Sequence, residues 1–475
     1  MEIKFNKINE TFYYVDAERS VLMELYDSFS FLVPNHIFHP KVKKGWWDGR
    51  IRLLNLQDQT IYTGLRFELI KFCNDNNYRY TFSDKGSFER KTKEDSIEFI
   101  KSLNIPSKFD IRDYQVDAFV KSINLNRSII LSPTSSGKTM LMYYLYRFYG
   151  LKTLIITPIS GLLTQIKGDF EDYGYDVNNI SYDINSKCPL TILTWQKIQH
   201  IKNQDWYDQW DVVIVDEVHQ ADAKQLSTIM MKMQYAIYRF GLTGTLKDAK
   251  SSTMSLIGLF GPIVKTKSTR ELIDEGYLAE IKIKTITLKY NEDDRKTCKQ
   301  LDYKKELDFV LNHKQRNKFI SKLITSLEGN VLVLFNFKEN HGIPFYELVK
   351  SMTNRPVYYI SGDIKEKERD RIKEIIKNST DSITIASVVF ATGISIPSLN
   401  HLVFTSPAKA KIRSLQSIGR VLRKTKTKTN CILWDFCDDL TIHKHKNYVY
   451  KHFLERIDIY NEELFDVEYH SKKLE

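Results

Sequence analysis

Residues 128–140, SIILSPTSSGKTM, constrain the fold more than any other part of the chain. A short apolar strand runs into a turn-rich loop and then directly into a helix, which stops at Gly150. A strand followed at once by such a helix belongs in a parallel sheet, because the helix must cross back over the sheet face. The loop suits an anion, since its backbone N–H groups and the helix N-terminus form a nest for phosphate oxygens. Gly137 permits close backbone approach, Lys138 neutralises phosphate charge, and Thr139 offers a hydroxyl to magnesium. Pro133, Thr134, Ser135 and Ser136 complete the cradle. The general pattern GxxxxGK[ST] begins on glycine, and here Ser132 takes that place.

Hydrolysis of a nucleotide held there needs a carboxylate for the metal and a base for water. WDVVIVDEVHQ (210–220) supplies both at the end of an apolar strand. Asp216 is the candidate magnesium ligand, and Glu217 is the candidate base that orients and deprotonates water. The runs 128–132, 153–157, 191–195, 212–216 and 240–244 predict one set of parallel strands buried on both faces. A second set follows at 330–337, 357–361, 383–387, 401–406 and 431–436, with a helix predicted over 365–378. Two consecutive doubly wound domains suggest two lobes with a cleft.

The segments SPTSSGKT and DEVH together resemble superfamily 2 helicases, and further strings follow in that family's order. RDYQVDAF resembles the adenine-reading element, which assigns Gln115 to the base and Arg112 to the nucleotide's surroundings. His219 and the FGLTGTL residues Thr243, Gly244 and Thr245 match the elements that couple hydrolysis to lobe motion. TPISGLLTQ and LTWQK resemble first-lobe strand-gripping elements, implying contacts from Thr157, Pro158, Gln165, Thr194 and Gln196. ATGISIPSLNHLV resembles the second-lobe element beside nucleic acid and γ-phosphate, through Thr392 and Gly393. QSIGRVLRK matches the arginine-finger motif through Gln416, Arg420 and Arg423. Arginines at i and i+3 share one helix face, and their forked donors suit the spreading charge of a phosphoryl transition state.

KGWWDGRIRLLN (44–55) narrows the resemblance to phage recombination helicases of this superfamily, whose members act on branched DNA. Such relatives regress forks, migrate Holliday junctions, unwind R-loops and anneal strands. Lys44 and Arg50 around Trp46 and Trp47 are candidate nucleic-acid contacts: cations for phosphates, indoles for exposed bases. The same tryptophans could instead be the core of a small domain, and Asp48–Gly49 suggests a hairpin carrying one Trp inward and one outward.

The expected architecture is α/β, with two tandem RecA-like, doubly wound parallel-sheet lobes. A small α+β N-terminal domain precedes them at 1–105, the lobes span 106–283 and 284–447, and a helical extension covers 448–475. ATP and Mg2+ are the expected cofactors. DNA in branched, forked or R-loop form is the expected partner, with RNA in hybrids and with single-strand-binding or recombination proteins alongside. A net charge of +11 favours an anionic partner. Five scattered cysteines with no metal spacing indicate free thiols in a reducing compartment. With no apolar leader and no membrane-length apolar run, the expectation is a soluble cytoplasmic monomer. An ATP-gated clamp or annealing protein, and an RNA helicase, stay open as alternatives. A restriction-nuclease motor is disfavoured, since no nuclease carboxylate–lysine cluster is evident.

Overall fold

The structure, a computed structural model, describes residues 2–84, 90–219, 223–246, 249–361, 364, 366–387, 399–407, 430–443 and 445–474. It contains two compact units: Met1–Pro133 with Gly137–Lys267, and Ser268–Glu475 with Thr134–Ser136. Among the described residues no helix is long and apolar enough to cross a membrane.

The first unit opens with β1 (Glu2–Lys7), β2 (Phe12–Asp16), β3 (Ser30–Leu32), β4 (Arg50–Arg52), β5 (Leu54–Asn55), β6 (Thr60–Tyr62) and β7 (Arg79–Phe82). Five of these form a mixed sheet in the order β5-β6-β2-β1-β7, while β3 and β4 pair separately. Strict alternation buries Ile3, Phe5, Tyr13 and Val15. The helices Arg19–Ser28 and Arg66–Asp75 add Val21, Leu25 and Leu69 to the same apolar cluster.

Continuous apolar runs then give β8 (Arg127–Leu131), β9 (Thr153–Thr157), β10 (Ile180–Ser181), β11 (Leu190–Thr194), β12 (Val212–Val215), β13 (Tyr238–Thr243) and β14 (Ile263–Lys265). All seven pair parallel in the order β10-β11-β9-β12-β13-β8-β14. The C-terminal ends of β11, β9, β12, β13 and β8 therefore share one edge of the sheet, where ligands of doubly wound folds bind.

The N-terminal sheet and this lobe share one apolar cluster, running from Ile3 and Phe5 through Leu65 to Ile129, Val213 and Phe260. Two arginines at the opposite, N-terminal ends of β8 and β13 fasten the join. Arg127 donates to the Glu10 carbonyl at 2.7 Å and to the Thr63 hydroxyl. Fully buried Arg239 donates to Thr11 Oγ1 at 3.0 Å and to the carbonyls of Ala236, Met230 and Met233. Gly64 lies so close to the helix Lys250–Phe260 that a Cβ there would overlap the Ile257 carbonyl oxygen. Gly64→Ala should therefore cost about 1–3 kcal/mol and part the two layers. A lower urea midpoint and faster proteolytic release of the N-terminal segment would show it.

The second unit holds β15 (Glu280–Lys289), β16 (Asn330–Phe335), β17 (Val357–Ile360), β18 (Ile383–Ser387), β19 (Leu399–Phe404), β20 (Asn430–Asp439) and β21 (Asp466–Lys473). These also pair wholly parallel, in the order β17-β18-β16-β19-β20-β15-β21. The expected helix over 365–378 is present as Glu366–Asn378. β15 spans the lobe boundary expected at 283 and lies entirely in the second sheet.

The tail differs from the helical extension the sequence suggests. It is helical over Tyr448–Glu462, and then β21 joins the sheet edge beside β15. The edge strand is held by backbone pairing rather than by apolar side chains, so no apolar run announces it. Buried Glu306 caps the tail helix, accepting from the backbone N–H groups of Tyr448 at 3.0 Å and Val449 at 2.8 Å.

Candidate active site

β8 delivers the chain into the loop 132–137, and the helix Lys138–Tyr149 leaves it. Gly137 has φ +87°, and a Cβ on it would overlap the Gln115 side-chain nitrogen. Only glycine fits, because the left-handed backbone and the amide both exclude a side chain. Ser135 is also left-handed at φ +67°. Gln115 is buried against this loop, while Arg112 donates to the Tyr114 hydroxyl at 2.8 Å.

Lys138 Nζ lies 2.9 Å from Glu217 Oε1, with both side chains largely buried. Burial alone would raise the Glu217 pKa. The Lys138 charge, His219, the Lys138 hydrogen bond and the Gly244 N–H together outweigh it and hold the carboxyl below its ordinary value. A carboxylate kept ionised beside a phosphate loop is fit to accept a proton from water. Glu217 also has φ +48°, a left-handed conformation that costs a non-glycine residue energy and recurs at functional sites.

Asp216, nearly buried, accepts from the Glu217 N–H at 3.0 Å. His219 Nδ1 sits 2.5 Å from Thr243 Oγ1 and 3.4 Å from Glu217 Oε2. Thr243 Oγ1 in turn donates to the Thr245 carbonyl at 2.7 Å. A polar chain thus runs from Lys138 through Glu217 and His219 to the 243–245 turn.

The residues fit ATP and magnesium. The loop and Lys138 suit the phosphates, while Thr139 and Asp216 would offer oxygen donors to a divalent cation bound with them. Magnesium keeps several waters and phosphate oxygens, so a site with few protein ligands suffices. Among the described residues there is no cluster of three or more His, Cys, Asp or Glu that could hold a metal alone.

Thr157 and Thr194 are register partners at the ends of β9 and β11. Gln196 Nε2 donates to the Pro158 carbonyl at 3.0 Å, and Gln165 is exposed on the neighbouring helix Ser160–Asp172. Thr157 and Thr194 share the sheet edge at which Lys138 and Asp216 follow β8 and β12. Thr392, Gly393, Gln416, Arg420 and Arg423 lie outside the described residues.

The tryptophan pair sits on an excursion between β3 and β4 rather than on a tight hairpin. Leu32 pairs with Arg50, and residues 33–49 intervene, including the short helix Pro40–Lys43. Gly49 is left-handed at φ +80°, and a Cβ on it would lie 2.5 Å from the His36 ring. Trp46 is 73% exposed, with Lys44 Nζ 4.9 Å from its ring centroid. Trp47 is half-buried, donates Nε1–H to the Arg50 carbonyl at 2.8 Å and meets His39 edge-on. Arg50 is itself exposed. Trp46 is outward and Trp47 half-buried against His39 and the Arg50 carbonyl, and the 33–49 excursion stands where a tight turn at Asp48–Gly49 was expected.

Ile37 and Phe38, which no motif marks, are 58% and 67% exposed on the same excursion, with Lys43 over the phenyl ring. Interleaving of aromatic and basic residues in HIFHPKVKKGWW was the available signal.

Residues 2–83 match the family described as DNA helicase UvsW, N-terminal. Residues 108–248 match the res subunit of type III restriction enzymes, and 315–425 match the helicase conserved C-terminal domain. The chain is 32% identical over 499 residues to the ATP-dependent DNA helicase uvsW of Enterobacteria phage T4, covering 98% of both chains. It is 26% identical to the DNA 3'-5' translocase XPB2 of Sulfurisphaera tokodaii, over 71% of this chain and 84% of that one. The crystal structure of T4 UvsW aligns over 100% of both chains with a TM-score of 0.52.

Proposed function

Since the chain belongs to the UvsW family of ATP-dependent superfamily 2 DNA helicases, we propose that it remodels branched DNA by fork regression, Holliday-junction migration or R-loop unwinding. The observation that carries this reading is the excursion 33–49. Exposed Trp46, Phe38 and Ile37 stand among Lys41, Lys43, Lys44 and Arg50 on a domain that shares its core with the ATP-binding lobe. An exposed aromatic–basic surface of this kind stacks on bases where strands part and neutralises the flanking phosphates.

In this reading Lys138 exchanges Glu217 for a phosphate oxygen, which frees the carboxylate to orient and deprotonate water. Thr139 and Asp216 hold magnesium, which supplies charge neutralisation when bound. Gln115 and Arg112 receive the adenine end of the nucleotide, and Arg420 and Arg423, with Gln416 and Gly393, are assigned to the γ-phosphate by their motifs. His219 and the 243–245 turn carry the change at Glu217 toward the elements that grip nucleic acid. Thr157, Pro158, Gln165, Thr194, Gln196 and Thr392 touch the strand backbone. Structure rather than base sequence then selects the substrate, because phosphate contacts carry no sequence information.

ATPase stimulation by single strands, duplex, forks, four-way junctions and RNA–DNA loops tests the reading at one stated salt concentration. Forks and junctions should stimulate most, and displacement from a forked duplex should require ATP. Trp46→Ala and Phe38→Ala should each weaken fork binding by about tenfold, the scale of one lost base stack. Displacement indifferent to ATP would favour an annealing clamp, and stimulation by RNA alone would favour an RNA helicase.

A further inference from the structure

The strand β21 closes the second sheet, and among the described residues no strand pairs with its outer edge. An edge strand presents a row of backbone N–H and C=O groups to any other strand. Within β21 the residues from Tyr469 to Lys473 are all exposed, and the Tyr469 ring is 62% exposed.

Charge is the usual defence of such an edge, and here the charges follow an order. Side chains alternate along a strand, so Asp466, Glu468, His470 and Lys472 share one face. Two acids precede two bases on that face. Glu468 is already served within the chain, by Lys282, by Lys284 at 3.7 Å and by His470 at 3.5 Å. Asp466 and Lys472, at the two ends of the row, make no ion pair among the described residues. A strand of the same order running parallel in register would set acid against acid and base against base. Run antiparallel, it sets each acid against a base, and a two-fold axis reverses direction in just this way.

We propose that β21 pairs antiparallel with β21 of a second copy of this chain, across a two-fold axis at Tyr469. In that register Asp466 faces Lys472 of the second copy and Glu468 faces its His470, each pair occurring twice. On the opposite face Tyr469 meets its own counterpart, and Val467 meets Ser471. The neighbouring registers are poorer. An axis at Glu468 opposes two carboxylates, and an axis at His470 opposes two imidazoles and leaves Asp466 against Leu474. The contact uses the same patch on both copies, so it closes at a dimer instead of growing a fibre. One strand from each copy makes a small interface, and the dimer depends on concentration. This departs from the monomer expected of the sequence.

Sedimentation equilibrium of the full chain over a concentration series should show monomer and dimer in exchange. Asp466→Lys and Lys472→Asp should each weaken self-association by about tenfold or more, because the axis makes every substitution count twice. An equimolar mixture of the two variants should regain association as a heterodimer, since each then meets its opposite charge. Both positions are exposed, so the urea midpoint of each variant in dilute solution should stay near that of the unaltered chain. Under mild oxidation Tyr469→Cys should give a disulfide-linked dimer, since opposed Cα atoms of an antiparallel ladder lie about 4.5–5.5 Å apart. Ser471→Cys should not, because its counterpart is offset along the strand by about 13 Å. The proposal is overturned by a chain that stays monomeric throughout, by variants that self-associate as the unaltered chain does, or by a mixture no better than either variant alone. Equal cross-linking of Tyr469→Cys and Ser471→Cys would overturn it as well.

Discussion

Lys138→Ala should reduce DNA-stimulated ATP hydrolysis by roughly 10²–10³-fold, the scale seen when one preorganised donor to transition-state charge is removed. The lysine follows directly on the candidate phosphate loop and is ion-paired at 2.9 Å with the candidate base. Removing it takes one positive charge from the phosphates and also removes two of the influences holding Glu217 ionised, its charge and its hydrogen bond. The pH profile should respond too: hydrolysis that remains should fall at a higher pH than in the unaltered chain, because the carboxyl without Lys138 protonates more readily. DNA binding at fixed salt should change little, since Lys138 serves the nucleotide. Steady-state ATPase and a fork-binding titration read out the two effects, and undiminished hydrolysis would end the site assignment.

Arg316→Ala should destabilise the second unit by about 3–5 kcal/mol, the cost of leaving a buried charge without its partner. Both Arg316 and Asp438 are fully buried, with Nε 2.7 Å from Oδ1. Arg316 Nη2 also donates to the Thr405 carbonyl at 2.8 Å, and Tyr290 donates to Asp438 at 2.8 Å. These bonds tie the helix Lys314–Ser326 to the ends of β19 and β20. Replacing both charges, as Arg316→Met with Asp438→Leu, should recover most of the loss, because no ion then remains buried unpaired. Urea unfolding of the two variants measures the difference, and equal destabilisation by both would refute the account.

Local chemistry explains which parts of the molecule could be read in advance. The glycine at 137 declares a close approach, and the structure shows why, with the Gln115 amide lying where a side chain would go. Each of the ten apolar runs singled out in advance coincides with a strand to within a few residues, because strands buried on both faces must be apolar throughout. β15 escaped that pattern because its buried residues alternate, as in Ile281 and Ile283, instead of running together. β21, with sequence DVEYHSKK, has almost no buried side chain, so nothing in its composition marks it as a strand.

The amino-acid sequence on its own determined the phosphate loop, the acidic pair beside it and the parallel architecture around them. Each is encoded by neighbouring residues through turn chemistry, spacing and apolar runs. Only the tertiary structure decided that Lys138 and His219 both meet Glu217, that Arg127 and Arg239 fasten the N-terminal sheet, that Phe38 faces solvent, and that the tail ends as an edge strand. Those outcomes rest on contacts between segments far apart in the chain. Backbone hydrogen bonds and buried charges choose such partners by position in space, and no run of adjacent residues records the choice.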